Sequence, residues 1–441
     1  MKKKSTIAIM CAISLLGCTV SGNNTFTINE ETACRQYDDP EAFYMSDEYY
    51  DWYIHQKELI ELARDDAEKQ QQFARVTSAA YLSQTPNENA VYAPLNVWFA
   101  AAGLAAVTAG DTQKELFAFL GVNSKTELQD MYEALWNAGS VDLPETKEYN
   151  AVSLWLSDKY RYDDVFLSQL QKENHISSFA GDLSSEEMNA ALKDWVNSHT
   201  GHLLEEYTDN LKMNENTILN LVSALYFKAP WTEPFVGSQD YNFDGYSGSY
   251  PVKGICKESP GYYYESERFT AVREGLTDSG FVYFILPDEK HTVADVYASD
   301  EMWNLFKGNN FVDSSTDGSV FVRVPTFELS SEGDLIKVMQ DLGVKEVFDS
   351  RADFSPLSQR KGISLGSARH TAAFQIDKDG VTGAAYTSMM AGAGQNNFQY
   401  RFFLELNRPF LFVVTAEDGT ILFVGSIFDL PHEEVTYEEF G

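Results

Sequence analysis

Apolar positions change rhythm along the chain. QQFARVTSAAYLSQ places Phe73, Val76, Ala80 and Tyr81 on one face of a helix. NENAVYAPLNVWFAAAGLAAVTAG reads as a short strand, a proline at a helix start, and a helix apolar nearly all round, hence buried. DTQKELFAFLG opens on an N-cap candidate, Asp111, and stops at Gly121. A strand is expected at NAVSLWLSD and helices at 163–172 and 186–197. ENTILNLVSALYFKAPW is apolar on both strand faces, Leu219, Leu221, Leu225 and Phe227 against Ile218, Val222, Ala224 and Tyr226. That pattern predicts a strand covered on both sides at the centre of a sheet. Strand patterns dominate from there: FTAVREGL, GFVYFILPD, SVFVRVPTFEL, then a helix at GDLIKVMQDLG, then TAAFQI, YRFFLEL and RPFLFVV. Helices come first and strands later, without βαβ alternation, so the fold class is α+β. No repeat and no Gly/Pro/Ser linker divides the body, which is read as one domain over 67–441.

Composition narrows the function classes. Hydrophobic residues make up 44% of the 441 positions and aromatics 14%, enough for a large core. The formal charge of −33 argues against a nucleic-acid partner, which requires a basic face. The opening MKKKSTIAIMCAISLLGCTV has a basic start at Lys2, Lys3 and Lys4 and an apolar run from Ile7 to Leu16, too short to span a bilayer. Residues 1–17 therefore read as a signal peptide. Leu15-Leu16-Gly17-Cys18 resembles the bacterial lipobox, which implies lipid on Cys18 and an exported protein anchored to the bacterial cell envelope, facing the periplasm or the surface. An ordinary signal with an incidental cysteine is the alternative. Loss of the three lysines would take the charge from −33 to about −36. Cys34 and Cys256 then remain; they could pair, but two cysteines are not a disulfide framework. Residues 18–66 are acidic yet rich in tyrosine, so they read as a tether, although aromatics are unusual in a disordered linker.

No catalytic signature stands out. G-x-S-x-G, H-E-x-x-H, the P-loop and a complete G-x-G-x-x-G are all missing. His199 and His202 have helical metal-ligand spacing but no third ligand nearby, so a surface turn is the better reading. Glu205-Glu206 and Glu433-Glu434 carry no weight in so acidic a chain. Neither a catalytic residue, a metal nor a cofactor is expected.

One stretch does not fit a plain strand connection. DGVTGAAYTSMMAGAGQNN, from Asp379 to Asn397, joins two strands where two to five residues would do. Alternate residues of a strand face opposite ways. One face would carry Val381, Gly383, Ala385, Thr387, Met389, Ala391 and Ala393, all uncharged and mostly small. The other would carry Thr382, Ala384, Tyr386, Ser388 and Met390, so the single large ring lies opposite the face that could be buried. No proline interrupts 380–397. The stretch could become a strand, or it could be a flexible small-residue linker.

The chain around this stretch resembles the serpin family. SALYFKAPWTEPF is similar to that family's central strand, and FVRVPTFELSSEGDLIKVMQDLGVKEVFDSRADFSPLS to its strand, helix and aspartate-phenylalanine-serine segment. RPFLFVVTAEDGTILFVGSIFDL is similar to its C-terminal hairpin, and ENAVYAPLNVWFAAAGLAAVTAGDTQKEL to its opening helices. The resemblance spans about 68–431. It implies three β-sheets, about nine helices and an exposed reactive-centre loop, the stretch just described. It further implies a monomer that acts as a suicide substrate: a protease cleaves the loop, becomes acylated, and is disabled as the loop inserts into the main sheet. The hinge would comprise Lys378, Asp379, Gly380, Val381, Thr382, Gly383, Ala384 and Ala385. Counting fifteen residues from Gly380 puts the cleaved bond between Gly394 and Gln395, although this loop is about four residues longer than in familiar members. Those fifteen residues would extend about 50 Å. His370, Ser223, Asn96 and Trp231 fall where the sheet would open. Ser223 stands for the family's asparagine and Ala93 and Asn96 for its two serines. Structural roles outweigh gating for His370 and Trp231.

The loop contains no lysine or arginine between Lys378 and Arg401, so trypsin-like proteases lack an anchor. Its small apolar residues suit an elastase-like serine protease or a papain-like cysteine protease. Two other readings stay open: a non-inhibitory serpin acting as a binding or substrate-type envelope protein, and an envelope adhesin suggested by the tyrosine-rich segment.

Overall fold

The computed structural model describes residues 26–29, 37–202, 204–205, 208, 211–307, 310–315, 318–366, 368–381 and 400–431. The expected lipidation at Cys18, the partner candidate Cys34, hinge residues Thr382, Gly383, Ala384 and Ala385, and the bond Gly394–Gln395 lie outside these residues.

Three sheets and a small hairpin make up the β-structure. The main sheet runs in the order Phe26–Asn29, Ile176–Gly181, Lys147–Ser157, Leu219–Pro230, Gly380–Val381, Arg369–Ile376, Phe327–Asp334, with Val141–Asp142 paired to Lys147–Ser157. A seven-stranded sheet runs Val312–Asp313, Tyr262–Glu265, Phe269–Gly275, Phe281–Pro287, Phe410–Thr415, Ile421–Ile427, Ala90–Tyr92. A four-stranded sheet is built from Tyr400–Glu405, Ser319–Pro325, Gly254–Ser259 and Val236–Gly237; Tyr241–Gly245 and Gly248–Val252 form the hairpin. Ten α-helices occur among the described residues, one more than expected. The main and seven-stranded sheets face one another through aromatic pairs: Phe374 stacks on Phe412 at 4.5 Å, and Phe227 meets Phe423 edge-on at 6.1 Å.

Several expected elements are refined by packing. SVFVRVPTFEL is two strands in two sheets: the ladder of Ser319–Pro325 ends at Pro325, and Thr326 donates its N–H to Lys253 O instead. Asp111 is not an N-cap; the helix is Gly110–Leu120, capped at Ala109, and Asp111 pairs in its first turn with Lys114. Gly121 does end that helix, at φ +77°. On the helix carrying Phe73, Val76 points to solvent and Thr77 and Ser78 are buried instead. Their hydroxyls donate to Phe73 O and Ala74 O, which satisfies them inside the core.

That helix is Asp47–Leu82, 36 residues long, and the tether boundary expected at 66/67 falls in its middle. It begins with a Ser46 cap, and its N-terminal half docks through the tyrosines. Tyr49 Oη donates to Asp278 Oδ1 at 2.8 Å, and Tyr37 Oη donates to Asp142 O. Tyr37 and Tyr49 thus rest on the body, whereas Tyr50 stays exposed.

Candidate functional site

The central strand Leu219–Pro230 departs from its sequence pattern. Leu221, Val222, Leu225 and Tyr226 are only half-buried, although both faces are apolar. The reason lies beside it. Among the described residues no ladder joins Leu219–Pro230 to Arg369–Ile376; the two strands are bridged only at one end, by Gly380–Val381. Further along, a cavity of about 30 Å³ separates them, lined by Ser223, Ala224 and Leu225 on one side and Thr371, Ala372 and Ala373 on the other.

The bridge is built by a tight turn. Asp377-Lys378-Asp379-Gly380 has aspartate first and glycine last, the residue preference of a type I turn. Asp377 Oδ1 accepts from Asp379 N at 2.8 Å and Gly380 N at 3.1 Å, and Asp377 N donates to Gly380 O at 3.1 Å. Trp231 fastens the turn from the neighbouring strand end. Its indole Nε1 donates to Asp377 O at 2.9 Å, and its backbone N donates to Asp379 O at 3.2 Å. Lys378 and Asp379 pair with each other at the surface, 2.8 Å apart. Asp377 escaped the sequence reading; the D-x-x-G spacing was the signal that could have found it.

Past the turn, Gly380 lies opposite Pro230 and Val381 lies between Ala229 and Ile376, antiparallel to both neighbours. Glycine is required here by space. A Cβ at Gly380 would sit 2.3 Å from Ala229 O, a separation side chains do not reach. Val381 is 2% exposed and belongs to the main core. Gly380 and Val381, expected at the start of an exposed loop, are thus already a two-residue strand within the main sheet. The odd-numbered face predicted for burial is the one Val381 buries.

At the other end of the same strands, a second group ties both to the start of the helix Pro94–Ala106. His370 is fully buried, and its Nε2 accepts from Ala93 N at 3.0 Å. Tyr81 and Tyr92 pack edge-on to its ring at 5.5 and 5.0 Å. Burial away from any charge pushes its pKa down from 6.5 to about 3, so the ring is neutral, with its proton on Nδ1. Across the cavity, Ser223 Oγ lies 3.0 Å from Asn96 Oδ1 and 3.2 Å from Asn96 O and donates to them. Serine and asparagine stand in exchanged places relative to the family pattern, and here they are hydrogen-bonded to each other. His370 and Trp231 lie at opposite ends of the opening, so the structure does not bring the four expected residues into one cluster. Along Arg369–Ile376, His370 and Ile376 are about 20 Å apart at the usual strand rise.

The metal reading of His199 and His202 finds no support. His199 is buried in its helix, stacked on Trp195 at 4.3 Å, with Nδ1 2.7 Å from Trp195 O. His202 is exposed in a turn at φ +64°. Among the described residues no group of three or more His, Cys, Asp or Glu could hold a metal ion.

The family model for serpins, "serine protease inhibitor", matches residues 68–430. Cattle (Bos taurus) Serpin A3-2 is 25% identical over 355 residues, covering 78% of this chain and 84% of that protein. The fold is similar to that of the crystal structure of Serpin48 from the insect Tenebrio molitor, with a TM-score of 0.71 at 20% identity, covering 83% of this chain and 98% of that one. It is also similar to that of human thyroxine-binding globulin in complex with thyroxine, with a TM-score of 0.70 at 20% identity, covering 84% and 100%. With the family model matching residues 68–430 and the three-sheet fold shared with these structures, the chain belongs to the serpin family.

Proposed function

We propose that the protein is a suicide-substrate inhibitor of proteases, working by cleavage of the loop that starts at Gly380 and its insertion into the main sheet. One observation carries this reading: Gly380–Val381 stands as a short strand between Leu219–Pro230 and Arg369–Ile376, which otherwise make no ladder with each other among the described residues. Extending that strand would complete two rows of backbone hydrogen bonds and cover the half-buried central strand. The protein then acts as a stoichiometric trap, with no turnover and no cofactor.

The absence of basic residues between Lys378 and Arg401 favours elastase-like serine proteases, with papain-like cysteine proteases next. The cut is proposed between Gly394 and Gln395. Lipid on Cys18 would hold the inhibitor, as a monomer, on the bacterial cell envelope, facing the periplasm or the surface. The acidic surface offers nothing to nucleic acid.

Mixing the purified protein with pancreatic elastase should give a denaturation-resistant complex on a gel, and mixing with trypsin should not. Clean cleavage without complex would replace this reading with a non-inhibitory binding or substrate role. The similarity in fold to thyroxine-binding globulin gives that second reading its own support. It expects cleaved protein to melt no higher than intact protein.

A further inference from the structure

A cavity lies away from the loop, where the N-terminal half of the long helix leans on the body. It has a volume of about 290 Å³, near the lower limit of small-ligand sites. Three rings line it: Trp52 and Tyr53 from the helix and Phe281 from the seven-stranded sheet. Glu148, at the start of the strand Lys147–Ser157, lines it from the main sheet and is 2% exposed.

Glu148 is the anomaly. Its Oε1 is buried without a hydrogen-bond partner, and so is Ser279 Oγ on the same cavity. A buried carboxylate left unpaired is among the most costly groups a protein can hold. Burial, reinforced by the neighbouring carboxylate of Asp418, pushes its pKa well above the usual range. The other charges on the cavity have partners. Lys57 pairs with Glu417, and Asp278 accepts from Tyr49 Oη. Asp418, which does not line the cavity, accepts from Thr420 N and Oγ1.

We infer that this cavity is a binding site for a small organic ammonium ion with an apolar or aromatic body, its ammonium on Glu148 and its body against Trp52, Tyr53 and Phe281. A metal ion would need several hard ligands, and no such group occurs among the described residues. Aromatic walls instead favour a cation carried on carbon. The site already shows that affinity in part, since Lys57 Nζ lies 5.0 Å from the centre of the Tyr53 ring. The inference is independent of what the reactive loop does.

The full chain should be titrated calorimetrically with 2-phenylethylamine and with 2-phenylethanol, which share a shape and differ in charge. The amine should bind at least about tenfold more tightly, as expected for a charged hydrogen bond over a neutral one. In Glu148→Gln the difference should vanish. Tyr53 stands at the exposed rim, so Tyr53→Ala should fold and should weaken both probes. Equal binding of the two probes, no binding of either, an amine preference that survives E148Q, or affinities unchanged in Tyr53→Ala would each overturn the assignment.

Discussion

The two large sheets are made of similar residues and finished to different degrees. In the seven-stranded sheet, Phe281–Pro287, Phe410–Thr415 and Ile421–Ile427 pair along their length, and every residue of the last two is buried. In the main sheet, Leu219–Pro230 is also mostly apolar, yet half-buried residues, Leu221, Val222, Leu225 and Tyr226 among them, recur along it. The difference is one missing neighbour. A strand paired along only one side leaves hydrogen-bonding capacity and apolar area unused, which a further strand could take up. The finished sheet supplies the rigid floor against which the unfinished one can change.

Charge placed on the face that must be buried tests the contrast most severely. Val381→Arg or Ala385→Arg should abolish the denaturation-resistant complex with elastase and leave a cleaved substrate, read on the same gel. Undiminished complex would refute insertion. Next in size is a pair of truncations. Phe412→Ala, in the finished sheet, should cost about 3–5 kcal/mol in denaturant unfolding, whereas Leu221→Ala, half-buried beside the opening, should cost no more than about half as much. Equal losses would mean the two sheets are equally complete. The smallest effect is a pH dependence. His370 is neutral in the folded protein with a pKa of about 3, against 6.5 when unfolded. Its contribution is intact above pH 6.5 and falls by about 1.4 kcal/mol per unit as pH drops below that value towards 3. Thermal unfolding of wild type and His370→Gln between pH 7 and 5 should show a steeper acid loss in the wild type; parallel curves would contradict the burial of the imidazole.

Much of this was legible in the residues. Alternation along 381–393 sorted the small side chains onto one face, and Val381 is buried on that face. The motifs around Trp231, His370 and the C-terminal hairpin carried the family. What could not be read is long-range. Burial of the apolar strand at 219–230 depends on a partner about 150 residues later in the chain, so local pattern overstated it. Polar residues misled for a related reason: Thr77 and Ser78 are buried because their own helix accepts their hydroxyl protons. Residues 18–66 were read as a tether despite their tyrosines, because nothing local reveals that Asp278 and Asp142 wait for Tyr49 and Tyr37. That Ser223 and Asn96 bond to each other is likewise invisible in a sequence that places them 127 residues apart.

The grip of Trp231 on the carbonyls of Asp377 and Asp379 has a consequence for timing. On the proposed mechanism it would fix which residue enters first, and therefore the parity of everything that follows, before any enzyme arrives. A slip of one position would turn Tyr386 inward and Ala385 outward. Propagation from a seated first rung would need no search for alignment.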